Sequence, residues 1–576
     1  MSDIHPEPIA PSCGLVRRHS EASHVRVLLL ACIILGLGTL VLPVVLTSVA
    51  PLLDYPNHLA RIWLLAGGAV HAPLDGIYGV DWSGASTNIG IDLLAATLGR
   101  LVGGWALAPL LLGAAILLPP LGAVLLNRAV FGGWHWWQAG FAVLAWNGTL
   151  LAGFLNFQLG LGLALLAGAV DPAIVRRAGP FGAALLRMGL GATLLVFHPF
   201  AAGFYGVLLA GLAFGAGHGS QEIIEPSFGC RALRAVLAAG LSVGIPVVCF
   251  VLLAPTLPGR HAPPGIYDIW AGFTLLNKAM TLMSAIMTYD LRLDLGAILL
   301  LWASARLLAS AAMLRYHAGL LLGALGLVAL ALVVPSNLGG TALVDWRFPI
   351  MAVLTTTVAI RPGMRSARGS QVMVVALTLL SLVRTGWIAG IWEERQADVA
   401  AVEAALAFVP AGSAVLPVEH TGIEGTTSRR GQTLAVGLPL YWHLPSLAVP
   451  LRHAFVPTLF TAPGKQPLRV RQPWAKISVL EGVPAPVRYL RTYVPSPRLS
   501  YMIGYMAYWR ERFDYVLVLN AQVPDADDEA SVPELELLAD RGFARIYRIL
   551  RNGTEGLEER AGVHGHMHPA PKPHVD

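Results

Sequence analysis

Runs of uncharged residues alternate with short polar stretches up to residue 391. The first run, Val27–Leu53, follows Arg17, Arg18 and Arg26. It is too long for the apolar core of a signal peptide, and no small-x-small site ends it. It therefore predicts an uncleaved first span with a cytoplasmic N-terminus. Further runs are Leu101–Leu126, Ala129–Val170, Met188–Gln221, Ala235–Gly259 and Tyr316–Val344, with weaker ones at Leu295–Leu314, Phe348–Ile360 and Gln371–Ile391. Ala129–Val170 has the length of two helices with a turn near Asn147–Asn156, and Met188–Gln221 reads as a pair of short spans around His198-Pro199. Arginines mark one set of loops: Arg128, then Arg176, Arg177 and Arg187, then Arg231 and Arg234, then Arg315, then Arg361, Arg365 and Arg368. Acids mark the alternate set: Asp54, Asp75, Asp81, Asp92, Asp268, Asp290, Asp294 and Asp345. Placing the arginine loops inside requires about eleven spans and leaves the chain after Ile391 outside.

From Trp392 onward no run is long enough to span. Strand-like pieces occur at Ser413–Val418, Tyr515–Leu519 and Ala544–Ile549, and helical patterns at Ala397–Phe408 and Glu534–Arg541. The predicted fold class is an α-helical polytopic membrane protein with a small C-terminal α/β extracytoplasmic domain. The expected layout is a cytoplasmic tail over 1–26, a transmembrane domain over 27–391, the α/β domain over 392–554 and a disordered tail over 555–576. That tail carries His564, His566, His568 and His574, and reads as solvated rather than metal-binding.

Composition agrees with the pattern. Hydrophobic residues make up 55% and charged residues 13%, with mean hydropathy +0.62. A soluble core does not absorb so much apolar sequence, and disordered, collagenous and disulfide-scaffold classes are excluded. The formal charge of +6 fits arginine-bearing cytoplasmic loops. No basic–aromatic cluster points to nucleic acid. Cys13, Cys32, Cys230 and Cys249 form no CxxC or Cys/His metal spacing.

Candidate chemistry gathers near the predicted outer ends of spans. Asp54 follows the first span, and Pro56 suits the first turn of a helix. Asn57–Val70 is amphipathic enough to lie on the interface. His58 and Arg61 are three apart and share a face, which brings Asp54, His58 and Arg61 together over the bilayer surface. A carboxylate there suits a general base or metal ligand, and a cation suits a phosphate; the plain alternative is a capped, solvated helix. Asp345-Trp346-Arg347-Phe348-Pro349 sits at the mouth of a later span, with Arg347 at headgroup depth. Arg306 and Arg384 lie within spans with no acid at helical spacing. His198, Asn147, Asn156 and Gln158 sit on outer turns and together suggest a polar cavity opening outward. His261, Asp268 and Lys278 fall in the external segment Thr256–Asp294, whose Ala271–Tyr289 part reads as a second interfacial helix.

This layout resembles the GT-C superfamily of polytopic glycosyltransferases that use polyprenyl-phosphate-linked sugars, in a bacterial branch. Two motifs carry the resemblance. One is the acid after the first span with its juxtamembrane helix, Leu53-Asp54-Tyr55-Pro56-Asn57-His58-Leu59-Ala60-Arg61, followed by the amphipathic Asn88–Gly103 segment. The other is an arginine–aromatic–proline element, here Arg347-Phe348-Pro349. The resemblance implies a bacterial inner-membrane enzyme with Asp54 as general base and lipid phosphate as leaving group. His58, Arg61 and Arg347 would stabilise phosphate charge, with Asp345, His198 and Arg306 as further substrate-binding candidates. The implied partners are a polyprenyl-phosphate-linked sugar, membrane lipid and a glycan, lipid or protein acceptor. The resemblance fixes no cofactor. A divalent cation stays open, although Tyr55 stands where many members carry a further acid. No Walker loop and no GxGxxG followed by a suitable helix is present, in keeping with a donor that needs no nucleotide. Two other classes compete: a lipid-sugar flippase or other secondary transporter, and a non-catalytic envelope assembly protein.

Overall fold

The computed structural model describes residues 13–215, 227–255, 274–338, 341–364, 366–422, 429–527 and 529–551. His261, Asp268 and the tail over 555–576 lie outside the described residues, as does most of the expected N-terminal tail.

Among the described residues, five helices are long and apolar enough to cross a membrane: Arg26–Val45, Gly104–Phe131, Leu155–Phe197, Phe228–Leu253 and Ala367–Leu406. Three shorter apolar helices, Pro199–Gly215, Ala318–Val333 and Arg347–Ala359, pack among them. The protein is thus a mostly helical membrane protein. A continuous helix over Leu155–Phe197 would reach about 65 Å, twice the bilayer core. Gly179, at φ +65°, breaks it into two helices. The expected break at His198-Pro199 is present, with His198 extended between two helices. The stretch after Phe131 departs from a second long helix. Trp136–Ala145 forms a 3-10 helix, and Asn147 caps the short helix Gly148–Leu151 by accepting from Leu150 N. The Leu295–Leu314 run also divides: its helix ends at Leu308, and Ala309–Tyr316 pairs antiparallel with Ile360–Met364.

The change in composition at Trp392 falls inside one element, because the helix Ala367–Leu406 runs through it without a break. Its first half is apolar among the other helices. Its second half buries Val399, Val402 and Leu406, spaced three and four apart, against the C-terminal sheet. That sheet has five strands in the order Ala485–Pro486, Val415–Glu419, Tyr515–Leu519, Ala544–Ile549, Leu535–Asp540. The first three are parallel and the last two antiparallel. Val415–Glu419 and Tyr515–Leu519 are buried along their whole length, as parallel strands covered on both faces are. The helix expected at Glu534–Arg541 is instead the strand Leu535–Asp540. It forms a hairpin with Ala544–Ile549, closed by Gly542 N donating to Asp540 Oδ1 at 2.8 Å. Pairing with a ready-made edge overrides the local helical pattern.

Two ties fix this domain on the helices. Tyr78–Val80 pairs antiparallel with Leu468–Val470. Asn57 Nδ2 donates to Thr458 O at 3.0 Å, while Asn57 Oδ1 accepts from Phe460 N at 3.1 Å. The juxtamembrane helix Tyr55–Leu65 therefore does not lie on an interface. It is buried between the helices and the C-terminal domain, with Asn57 and Arg61 fully inaccessible.

Candidate functional site

Asp54 occupies the position before the first helical residue, where an aspartate usually caps its own helix with its side chain. Here it makes no side-chain cap. Its backbone carries the local bonds: Asp54 N donates to Ala152 O at 3.3 Å and Asp54 O accepts from His58 N at 2.9 Å. Gly153 lets the two segments meet. It sits at φ +85°, and a Cβ there would lie 2.7 Å from Asp54 N. The carboxyl is thereby directed into a cavity of about 400 Å³. His443 Nε2 lies 3.6 Å from Asp54 Oδ1. Burial raises the Asp54 carboxyl to about 7; Glu481 adds to the rise, and Arg347 and Arg61 pull against it. The group is poised between its two protonation states at neutral pH, as a general base is.

Two cations line the same cavity. Arg347 opens the helix Arg347–Ala359, and its Nη1 donates to Ala342 O at 3.1 Å and Leu343 O at 2.7 Å. Its guanidinium lies over Phe154, Phe200 and Phe157 at 4.4, 5.4 and 6.0 Å. Aromatic faces hold the cation without neutralising it. Arg347 makes no salt bridge among the described residues, and its Nε has no hydrogen-bond partner. Lys465 faces it from the C-terminal domain and bonds Glu481 at 2.8 and 3.1 Å. His198 Nδ1 accepts from Phe200 N at 3.2 Å, which leaves Nε2 as the ring nitrogen available to a ligand.

The cavity brings together Asp54, His58, Asn156, His198 and Arg347 from the sequence candidates. The remaining candidates lie elsewhere. Arg61 does not line it. Its Nε and Nη2 donate to the Asp92 carboxylate at 2.6 and 3.2 Å in a fully buried pair. Arg61 acts on Asp54 through its charge, not as a phosphate contact. His58 lines the cavity, but burial holds it well below its ordinary pKa, and the cations nearby push the same way. His443 is pushed down by burial to about 3. Both imidazoles are therefore neutral at pH 7 and offer hydrogen bonds rather than charge. Asp345 Oδ2 is taken by Lys278 at 2.8 Å, Ser336 at 2.9 Å and Thr281 at 3.0 Å. This clamps the loop whose Ala342 and Leu343 carbonyls hold Arg347, so Asp345 is a positioning residue. Arg306 is exposed at the end of the helix Leu291–Leu308 and outside the cavity.

Arg384 is paired with an acid from another helix. Its Nη1 pairs with Asp294 Oδ1 at 3.0 Å, and its Nη2 donates to Trp146 O and Ile286 O. Asn147 and Gln158 lie outside the cavity and serve packing, while Asn156 lines it. Asn156 bridges Ile91 N and Asn88 O, and Gln158 Nε2 donates to Asn147 Oδ1 at 3.0 Å. Lys465, Glu481, His443, Trp442 and Phe460 complete the surroundings of Asp54. They come from a domain almost four hundred residues along the chain, where no local pattern marks them. Among the described residues no group of three or more His, Cys, Asp or Glu side chains is gathered to hold a metal ion. Comparison of the chain with protein-family models, with curated proteins and with solved structures gives no match.

Proposed function

We propose that the chain is a membrane glycosyltransferase that moves a sugar from a polyprenyl-phosphate donor to an acceptor hydroxyl at the outer face of the cell membrane. One observation carries this reading: a buried carboxyl near pKa 7 faces Arg347 and Lys465 across a single cavity at the ends of apolar helices. A carboxyl that exchanges a proton at neutral pH suits an acceptor hydroxyl. A phenylalanine-held arginine without a carboxylate partner suits a lipid phosphate arriving at headgroup depth.

In this reaction the acceptor oxygen attacks the anomeric carbon while the bond from that carbon to the phosphate oxygen breaks. The hydroxyl proton passes to Asp54, and the bonding electrons leave with polyprenyl phosphate, whose charge Arg347 and Lys465 balance. Attack opposite the leaving group inverts the anomeric centre. His58 and His198 contribute neutral ring N–H or acceptor contacts.

This placement goes with about eleven crossings, in which the two halves of Leu155–Phe197 each cross once. They put the Asp54 cavity and the C-terminal domain on one side and the Arg128 and Arg361 loops on the other. The acceptor class is a glycan, lipid or protein. The test is release of polyprenyl phosphate by the protein in nanodiscs, supplied with a panel of polyprenyl-phosphate sugars and candidate acceptors. The product's anomeric configuration is read by NMR. Release with inversion supports the reading. Absence of release across the panel, or transport of intact donor without cleavage, removes it.

A further inference from the structure

A second, larger cavity of about 930 Å³ lies between the helices and the C-terminal domain. Its floor is the carboxyl end of the parallel strands: Glu419 ends Val415–Glu419, and Asn520 follows Tyr515–Leu519. Ligands of open α/β sheets bind in the crevice outside the carboxyl ends of the strands, where the chain leaves neighbouring strands in different directions. Asn520 adopts φ +57°, an uncommon backbone for a residue other than glycine, and donates from Nδ2 to His420 O at 3.0 Å.

The lining differs in kind from that of the Asp54 cavity. It contains no lysine, arginine or histidine among the described residues, and Glu419 is its only acid. Trp442, Tyr441 and Trp346 supply aromatic surface, and Asn277, Thr433 and Asn520 supply neutral polar groups. Trp442 Nε1 donates to Glu419 Oε2 at 2.9 Å, which fixes both the indole and the carboxyl. Burial raises Glu419 to about 7, so at neutral pH its carboxyl either donates to a hydroxyl or accepts from one. Aromatic faces beside uncharged hydrogen-bonding groups suit a pyranose, which presents C–H faces and a rim of hydroxyls. They do not suit an anion. Leu343, Leu438 and Trp442 line both cavities, so the two are neighbours across a shared wall.

We propose that the crevice at Glu419 and Trp442 is a binding site for an uncharged saccharide, and that it presents the acceptor hydroxyl to the Asp54 cavity across the Trp442 wall. The second half of this statement rests on the transfer reaction above; the first half does not.

The experiment is calorimetric titration of the full-length protein in nanodiscs with uncharged gluco-, galacto- and manno-oligosaccharides, with no lipid-linked donor present. Wild type is compared with Glu419→Gln and, from the opposite wall, Asn277→Ala. Thermal unfolding confirms that each variant is folded. At least one series should saturate, with affinity weakened about tenfold or more in Glu419→Gln and severalfold in Asn277→Ala. Saturation by none of the series, or equal affinity in the variants, overturns the proposal. Because no donor is used, saccharide binding without polyprenyl phosphate release would leave the crevice standing and remove the transferase. Release without saccharide binding would do the reverse.

Discussion

The cavity beside Asp54 and the crevice beside Glu419 share a wall of Leu343, Leu438 and Trp442, yet they are built for different ligands. Both hold one carboxyl that burial raises to about 7. Around Asp54 that carboxyl faces an arginine on three phenylalanine rings and a lysine. Around Glu419 it faces indole, phenol and amide groups. The same shift therefore serves two purposes. Beside cations, a carboxyl that loses its proton at neutral pH can receive one from an attacking hydroxyl while the leaving phosphate stays neutralised. Beside uncharged groups it can only recognise. On the proposed reading, the neighbourhood of the acid, not its titration, separates catalysis from binding.

Substitutions should separate the two cavities. Asp54→Asn keeps the shape but removes the base, and we expect transfer to fall about 10³-fold, read as polyprenyl phosphate release. Arg347→Met should cost about 10²-fold in turnover. Arg347→Lys should restore little, because an ammonium lacks the planar face that lies on Phe154. Trp442→Ala touches the shared wall and should disturb both sites, raising the KM for donor and acceptor about tenfold. An effect on the acceptor alone would show that the wall belongs to the crevice. The smallest effect is expected from Lys465→Gln: a severalfold rise in donor KM that shrinks as salt is raised, since Lys465 is already compensated by Glu481.

Local pattern revealed the parts of this arrangement that lie close together in sequence. The acid after the first span, the helix begun by Pro56 and the break at His198-Pro199 are all readable from neighbouring residues. So are the strands Tyr515–Leu519, whose apolar character is continuous, and Ala544–Ile549, where arginines interrupt the apolar and aromatic residues. Pairings across long separations were not readable. Arg61 meets Asp92, Lys278 meets Asp345 and Arg384 meets Asp294, each between segments well separated along the chain. A search at helical spacing left Arg384 unmatched because its partner is ninety residues away. The juxtamembrane helix was read as interfacial from its amphipathicity. Its polar face is instead covered by Thr458 and Phe460, whose arrival nothing near residue 57 announces. Lys465 and Glu481 escaped for the same reason: the cavity is closed by a domain whose own sequence carries no catalytic pattern.

The most direct test of Asp54 as the base is the pH dependence of polyprenyl phosphate release, compared between wild type and Asp54→Asn. The raised carboxyl must be ionised to accept the acceptor's proton. For wild type, kcat/KM should therefore climb as pH rises through about 7 and level off above it. The variant should retain about a thousandth of the activity and show no such inflection. A variant that keeps the wild-type rate, or a wild-type profile flat through neutrality, would contradict the assignment.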